Sequence, residues 1–540
     1  MNKAKWFLLF LVAICVAIPS YAVELSLGGF PSYMRTRARY FSNATFLSAF
    51  DDDQADALGF SNADDEIFFV DTRLRLTPQL VLSDAVTIRA QVDVVDNMIW
   101  GGTTSNLLGG DSTVVNSSLT TGDRFRGALL IGGPSIDRGQ FDADTVEAED
   151  DVQFFNVRML HSDIVLPGNW GFVRIGRQPF DWGLGILANG GWDPLSDLGF
   201  VLDRFLYLKS LPDGEGTFTF VFVSDVFTQG NSVLVANGNG YDIGAVALIY
   251  NTAVGGGNLT VGVYDFPYIH QNDFATNCPG PPLGEGPGPR PVVGCNDNLD
   301  LDWLNLYAGL IDFKTDTFRL VGEIQGTFGQ LDLAGTEVDI DHQILFAVRG
   351  EVYPGWPIKN ISAEFGWADG DDAGNDNVDG GVIFFNPAYN IDNLLFKHMI
   401  PTIYQAEGSV INAYYARAWG TVKLLDHLSW TPQVLVAWMQ ETDTCVGAGG
   451  TCLGGTPVND ASSYLGTEVE TTLTWNVVPG VNLDLISSLV INGSGMKDLL
   501  EAQARGALAG GPFAGANLDA EDYAWGGQAR LIVYIDQFFK

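Results

Sequence analysis

Basic residues are scarce. The 540-residue chain holds 28 Lys and Arg against 65 Asp and Glu, for a formal charge of −37. Acidity of that size argues against nucleic acid as a partner. Charged residues of both signs make up only 17% of the chain, and its mean hydropathy is +0.11. Histidines number five: His161, His270, His342, His398 and His427. None stands in a metal or nucleophile motif, and neither GxSxG nor HExxH occurs. An enzyme is therefore the least supported class, left only with rim histidines such as His270 and His398. Cysteines are also few, and their spacing matches no zinc or haem motif. Beyond the N-terminus there is no uninterrupted apolar run of about 18 residues, so no membrane-spanning helix is expected. No linker, internal repeat or shift of composition divides the chain. One large closed sheet accounts for this better than several soluble domains.

The N-terminus reads MNKAKWFLLFLVAICVAIPSYA. Lys3 and Lys5 form a basic start, an apolar stretch follows, and Ser20, Tyr21 and Ala22 supply a cleavage pattern. Residues 1–22 are expected to be a secretory signal peptide and residues 23–540 the mature domain. Cys15 offers a lipoprotein reading, against which Ile14 and the apolar residues after Cys15 stand. Export agrees with the cysteines. Cys278 with Cys295, and Cys445 with Cys452, each sit within one loop-like segment, which suggests two local disulfides.

What is present is alternation. In VDTRLRLTPQ, Asp71, Arg73, Arg75 and Thr77 share one parity while Val70, Thr72, Leu74 and Leu76 share the other. In VTIRAQVDV, Thr87, Arg89, Gln91 and Asp93 oppose Val86, Ile88, Ala90, Val92 and Val94. Successive strand residues point to opposite faces, so each run has one charged and one apolar face. The same reasoning predicts strands at 33–41, 66–80, 85–97, 153–165, 170–177, 199–209, 217–227, 241–252 and 258–266. Others are predicted at 303–314, 317–330, 339–353, 360–369, 410–425, 428–440, 464–476, 481–492 and 527–538. The fold class read from this is all-β: a transmembrane antiparallel up-and-down β-barrel of about 18 strands, with 16 as the alternative.

The connections support it. After the first strand they run long, short, long, short to the end. Outer-membrane barrels have short periplasmic turns and long external loops, whereas a soluble sandwich has no reason to sort loops by end. The acidic runs at 51–53, 142–151 and 369–379 and both cysteine pairs fall in long connections, hence outside. Leu259, Val261 and Val263, then Leu304, Leu306 and Ala308, Ile344, Phe346 and Val348, and Val434, Val436 and Trp438 are expected to face lipid. Trp100, Trp170, Trp419, Trp430, Trp475, Phe538 and Phe539 lie near strand ends, where aromatic girdles belong.

Arginines are the first functional candidates. Arg35, Arg37 and Arg39 alternate on one strand, and Arg73, Arg75, Arg89, Arg158, Arg174, Arg319, Arg349 and Arg417 lie on others. A charge facing mid-membrane lipid costs about 2–4 kcal/mol, so these are expected to point inward. An arginine-lined passage favours anionic solutes. Alternatively the arginines simply pair with Asp71, Asp93, Glu323, Glu351, Glu364 and Glu468 and brace the wall. Asp369, Asp371, Asp372, Asp376 and Asp379, in DGDDAGNDNVDGG, offer oxygens to a structural calcium ion, although the terminal Glu of a hand-type loop is missing. Solvated acidic loops are the other reading. No other cofactor is expected. The run MKDLLEAQARGALAG suits a short amphipathic helix at the mouth or a surface loop.

TRLRL followed by VTIRAQVDVVDNMIWGG resembles the early strands of alginate-export-type outer-membrane porins. VRIGRQPFDWGLG with GGWD resembles that family's GRQ segment, AEFGWADGDD its strand ending in an acidic Gly-Asp loop, and LGTEVE a late strand with alternating acids. The resemblance spans most of the mature chain. It implies a monomeric 18-stranded barrel that passes anionic solutes, in some members an acidic polysaccharide. The matching luminal residues would be Arg73, Arg75, Arg89, Arg174, Arg177, Asp181 and Glu468. Two cysteine pairs, a long last loop and the terminal Phe538, Phe539 and Lys540 depart from that pattern. The expected setting is the outer membrane of a Gram-negative bacterium, against lipid bilayer and lipopolysaccharide, after delivery by the outer-membrane assembly machinery. The expected function is passive diffusion or export of small or polymeric anions. Alternatives are a receptor or scaffold barrel whose acidic, disulfide-braced loops bind ions, surface polymers or a partner protein, and a sheath around a periplasmic electron carrier.

Overall fold

The computed structural model describes residues 24–27, 30–43, 66–99, 156–196, 199–226, 244–271, 299–333, 336–374, 377–381, 383–404, 410–446, 452, 456–507 and 520–538. The expected signal peptide, Cys278, Cys295 and Asp376 lie outside these residues. In chain order the strands begin with β1 (Tyr33–Ser42), β2 (Glu66–Leu76 and Pro78–Ser83, interrupted at Thr77), β3 (Val86–Ile99), β4 (Asn156–Leu166), β5 (Gly171–Pro179) and β6 (Val201–Asp213). Next come β7 (Gly216–Val226), β8 (Ala245–Val254), β9 (Gly257–Gln271), β10 (Leu299–Lys314), β11 (Phe318–Leu333) and β12 (Thr336–Val352). The last are β13 (Ile358–Ala368), β14 (Ala413–Leu425), β15 (Leu428–Met439), β16 (Tyr464–Val478), β17 (Val481–Asn492) and β18 (Tyr523–Tyr534).

Each strand pairs antiparallel with the next, and β18 returns to β1, with Tyr33 opposite Tyr534 and Ser42 opposite Trp525. The ring closes with 18 strands, as the alternation predicts. Closure satisfies the backbone groups that an open edge would leave unpaired in lipid. A further short segment, Glu24–Leu27, pairs with the second half of β2.

Loop length sorts by end. One end carries links of a few residues, such as 84–85, 214–215, 255–256, 426–427 and 479–480. The other carries 43–65, 100–155, 180–200, 227–244, 272–298, 369–412, 440–463 and 493–522. The expected alternation fails once. Between β11 and β12 only 334–335 intervene on the external side, because Leu333 and Thr336 still pair. Residues that would have formed a loop there extend the wall instead.

The outer face is apolar: Leu160, Val261, Val263, Ile324, Val348, Val434 and Val469 are all exposed. Toward the long-loop end an aromatic row crosses five strands. Phe346 stacks on Trp367 at 6.5 Å, Trp367 on Tyr414 at 5.4 Å, Tyr414 on Trp438 at 5.4 Å, and Tyr464 lies 6.4 Å from Trp438. This row forms a girdle of the kind found where headgroups meet hydrocarbon, but from residues other than those expected; of the latter, Trp170, Trp430, Trp475 and Phe538 are exposed at the short-turn end. Trp419 is not part of it; its ring turns inward beneath Arg417, 4.5 Å away.

One face assignment is overturned. Leu304, Leu306 and Ala308 point inward, with Ala308 buried, and Asn305 and Tyr307 take the outer parity. The cause is a segment folded into the barrel. Phe180, Trp182, Leu187 and Ala188 pack against Tyr264, Phe266, Leu304, Leu306, Ala308 and Leu310. The inner wall of β9 and β10 is thus apolar because it meets protein and not water. A second, larger core joins the inner faces of β12–β15 to Phe385, Leu394, Phe396, Ile400 and Ile403 and to a helix near the mouth.

Candidate functional site

Two straps cross the lumen. The first, residues 180–196, follows β5. The second, residues 383–404, precedes β14 and ends in a π-helical turn (Leu395–Met399) and the helix α1 (Ile400–Tyr404). They meet one another: Asn386 donates its amide to the Ile186 carbonyl at 2.8 Å. The Asn189 side chain donates to the Ala388 carbonyl, as does the Ser196 hydroxyl.

The wall holds the straps by charge. Glu323 on β11 accepts amide hydrogens from Gly185, Ile186 and Leu187 at 2.8–3.3 Å. A Cβ at Gly183 would stand 2.6 Å from the Glu323 carboxylate, so only glycine leaves the acid room to reach those amides. Glu468 on β16 accepts from Asn393 and Leu395. Asp392 caps the π-helical turn by accepting from Phe396 and Lys397. An acid at such a terminus satisfies amides that have no partner within the helix. Glu323 and Glu468, read from sequence as arginine partners, thus bond strap backbone in the structure.

Arginines hold the other side. Arg35 donates to the Pro194 carbonyl at 2.7 Å and to that of Ser196 at 3.3 Å. Arg73 donates to Ser196, Arg75 to Gly191 and Arg158 to Gly190, all through backbone oxygen at 2.5–3.1 Å. Arg158 reaches the strap only because residue 199 is glycine; a Cβ there would lie 1.6 Å from its guanidinium. Arg35, Arg37, Arg39, Arg73, Arg75 and Arg158 are at most 2% exposed. Among their carboxylate partners are the expected Asp71, which pairs with Arg37 and Arg39, and Asp93, which binds Arg75 through both oxygens at 2.7 Å. Asp181 accepts the Gly190 amide and the Trp192 indole hydrogen, shaping the strap itself.

Other arginines remain within reach of water. Arg89 and Arg174 share Asp163 at 3.0 and 2.6 Å and are about one quarter exposed. Arg319 pairs with Asp312 at 2.8 Å to a similar extent. All three lie a few residues from the short turns. Arg349 and Arg417 converge on Glu364, which also accepts the Tyr389 and Tyr415 hydroxyls. Arg177 is a correction. It faces Leu160 and Asp203 in the register and pairs with Asp203 at 2.8 Å. Leu160 is exposed on the outer face, so Arg177 stands outside and does not line the lumen. Two luminal pairs went unnoticed in the sequence: Arg204 with Asp225, at 2.5 and 2.6 Å, and Arg530 with Asp484, at 2.9 Å.

Over the mouth, the helix α2 (Ser494–Ala507) buries Met496, Leu499 and Leu500. Of the two readings of MKDLLEAQARGALAG, a helix or a surface loop, the structure shows the helix as far as Ala507. The Cys445–Cys452 disulfide is present, with Cα atoms 5.2 Å apart. Asp371 accepts the amides of Asp379 and Cys452 and so ties the 369–381 loop to it. Asp369 accepts from the Ile344 amide and the Trp367 indole, and Asp372 from the Gly374 amide. Among the described residues no three His, Cys, Asp or Glu gather as they would around a metal ion.

A closed 18-stranded ring, an apolar belt, an aromatic girdle and a charged interior define an outer-membrane β-barrel in contact with the lipid bilayer, and its place is the Gram-negative outer membrane. No family model matches the chain, and no curated protein matches it. Similar solved structures include OccAB3 of Acinetobacter baumannii, at 7% identity over 93% of this chain and 98% of that one, TM-score 0.44. A BenF-like porin of Pseudomonas fluorescens gives 8% identity over 94% and 98%, TM-score 0.43. OccK9 of Pseudomonas aeruginosa gives 9% over 94% and 99%, also TM-score 0.43. The barrel itself rests on the strand register of this chain.

Proposed function

We propose that the protein is a passive channel for small or polymeric anionic solutes, and that it performs no catalysis. A barrel of about 16–18 strands is wide enough for water. The observation that carries the reading is the pair of water-accessible guanidinium groups, Arg89 and Arg174, on a single carboxylate, Asp163. Two positive charges against one leave a net positive spot on the path. The straps set the width above it. The motifs similar to alginate-export porins add acidic polysaccharide to the candidate solutes. The chain works as a monomer among lipid and lipopolysaccharide, after insertion by the assembly machinery.

A second reading is a non-conducting receptor or scaffold. It is favoured by the contact between the straps, which spans the lumen through Asn386 and Ile186. Conductance of the refolded mature chain in a planar bilayer under a salt gradient separates them. Steady openings whose reversal potential indicates anion preference support the channel. A verified folded barrel without openings transfers the proposal to the receptor.

A further inference from the structure

One tryptophan of the wall looks into the barrel. On β14 Ala416 and Ala418 are exposed on the outer parity, while Arg417 and Trp419 take the inner one. Arg349 and Arg417 bond the same Glu364 oxygen, at 2.6 and 2.9 Å. They therefore approach the indole of Trp419 from one side, 5.5 and 4.5 Å from its centre. The ring is only half-buried, and on this parity its exposed part faces the lumen.

The register carries a polar row away from that ring. Trp419 lies opposite Gln433 on β15, and Gln433 lies opposite Glu470 on β16. Directly opposed side chains stand about 5 Å apart, so the row is about 10 Å long. Both polar members are half-buried as well. Gln433 gives an amide hydrogen to the Ile391 carbonyl at 2.8 Å, which leaves its oxygen for another donor. Among the described residues Glu470 accepts one hydrogen bond, from the Thr472 hydroxyl at 3.2 Å. A carboxylate has room for about four.

An aromatic plate bordered by spare acceptors on a wet wall has a natural complement. A pyranose ring carries an apolar C–H face and a rim of hydroxyl donors. Aromatic side chains supply contact area, and a few placed polar groups fix orientation. We propose that Trp419, Gln433 and Glu470 form a saccharide subsite. A sugar ring stacks on the indole, and its hydroxyls donate to the Gln433 and Glu470 oxygens. The site asks nothing of Arg349 and Arg417, which stay on Glu364. It narrows the channel reading to saccharide solutes and rests on that reading for their passage.

The test is saturation-transfer NMR of a mannuronate oligosaccharide with the refolded full barrel in detergent. Saturation of the sugar ring C–H protons is expected. Trp419→Ala should weaken binding several-fold, and Trp419→Phe, which keeps an aromatic face, should restore most of it. No saturation with the unaltered barrel, or undiminished binding by Trp419→Ala, overturns the subsite. Glu470→Ala, also expected to bind several-fold more weakly, replaces Trp419→Ala should that variant misfold. A barrel that conducts in bilayers but shows no saturation loses the subsite and keeps the channel. One that binds through Trp419 yet never conducts keeps the subsite and loses the channel.

Discussion

At the scale of single residues, the interior is a set of charges that are either covered or wet. The covered ones act in stability. Arg204 and Asp225 are buried together, so Asp225→Ala strands a guanidinium beside the Phe180 ring. Breaking a buried pair from one side costs about 3–5 kcal/mol, and a lower urea midpoint for the refolded barrel is the expected result. The wet ones act in selectivity. Arg89→Gln with Arg174→Gln should move the bilayer reversal potential away from anion preference with little change in the urea midpoint. Much of this was legible: ladders such as RLR announce an inward face, and Asp71, Asp93 and Glu364 do pair with arginines. Arg204 and Arg530 were missed because neither belongs to an alternating run of charges: Arg204 directly follows Asp203 in DRFLYL, and Arg530 stands alone in ARLIVY. Arg177 was misplaced although its position was readable. It lies three residues after Arg174, and strand neighbours three apart cannot share a face.

At the scale of elements, the 18 strands and the mouth helix were legible, because alternation and helical periodicity are local signals. The straps were not. Their residues are apolar and glycine-rich without period, and their partners lie on distant strands, so β10 was read with its faces exchanged. The second strap has a pH response built into it. Burial, helped by the negative charge of Glu470, holds the Asp392 carboxyl above its usual range. A carboxyl raised by folding gives stability that is fully present below its unfolded value and is lost as pH rises through the folded one. Protection of the amides of residues 393–404, taken relative to their intrinsic base-catalysed exchange, should therefore be greater at about pH 5 than at about pH 8. Asp392→Asn should flatten that difference.

At the scale of the whole molecule, sorting of loop length by end fixes orientation. Asn459 sits in a long connection and Glu215 in a short turn. In intact cells Asn459→Cys should react with an impermeant thiol reagent, while Glu215→Cys should react only after the outer membrane is opened. The belt makes an equally plain statement. Val434 faces outward four residues from the girdle residue Trp438, and Val434→Arg should cost about 2–4 kcal/mol, seen as a lower unfolding temperature of the folded band on gels. The first strap adds a consequence for biogenesis. It emerges after β5, yet its anchors are spread over β1, β2, β4 and β11, and β1 is the seam strand that meets β18. Nothing can hold it until those strands face one another around a common interior. A sheet stalled before closure would leave residues 180–196 open to protease, whereas a finished barrel hides them, so resistance of this segment to cleavage should report completed closure.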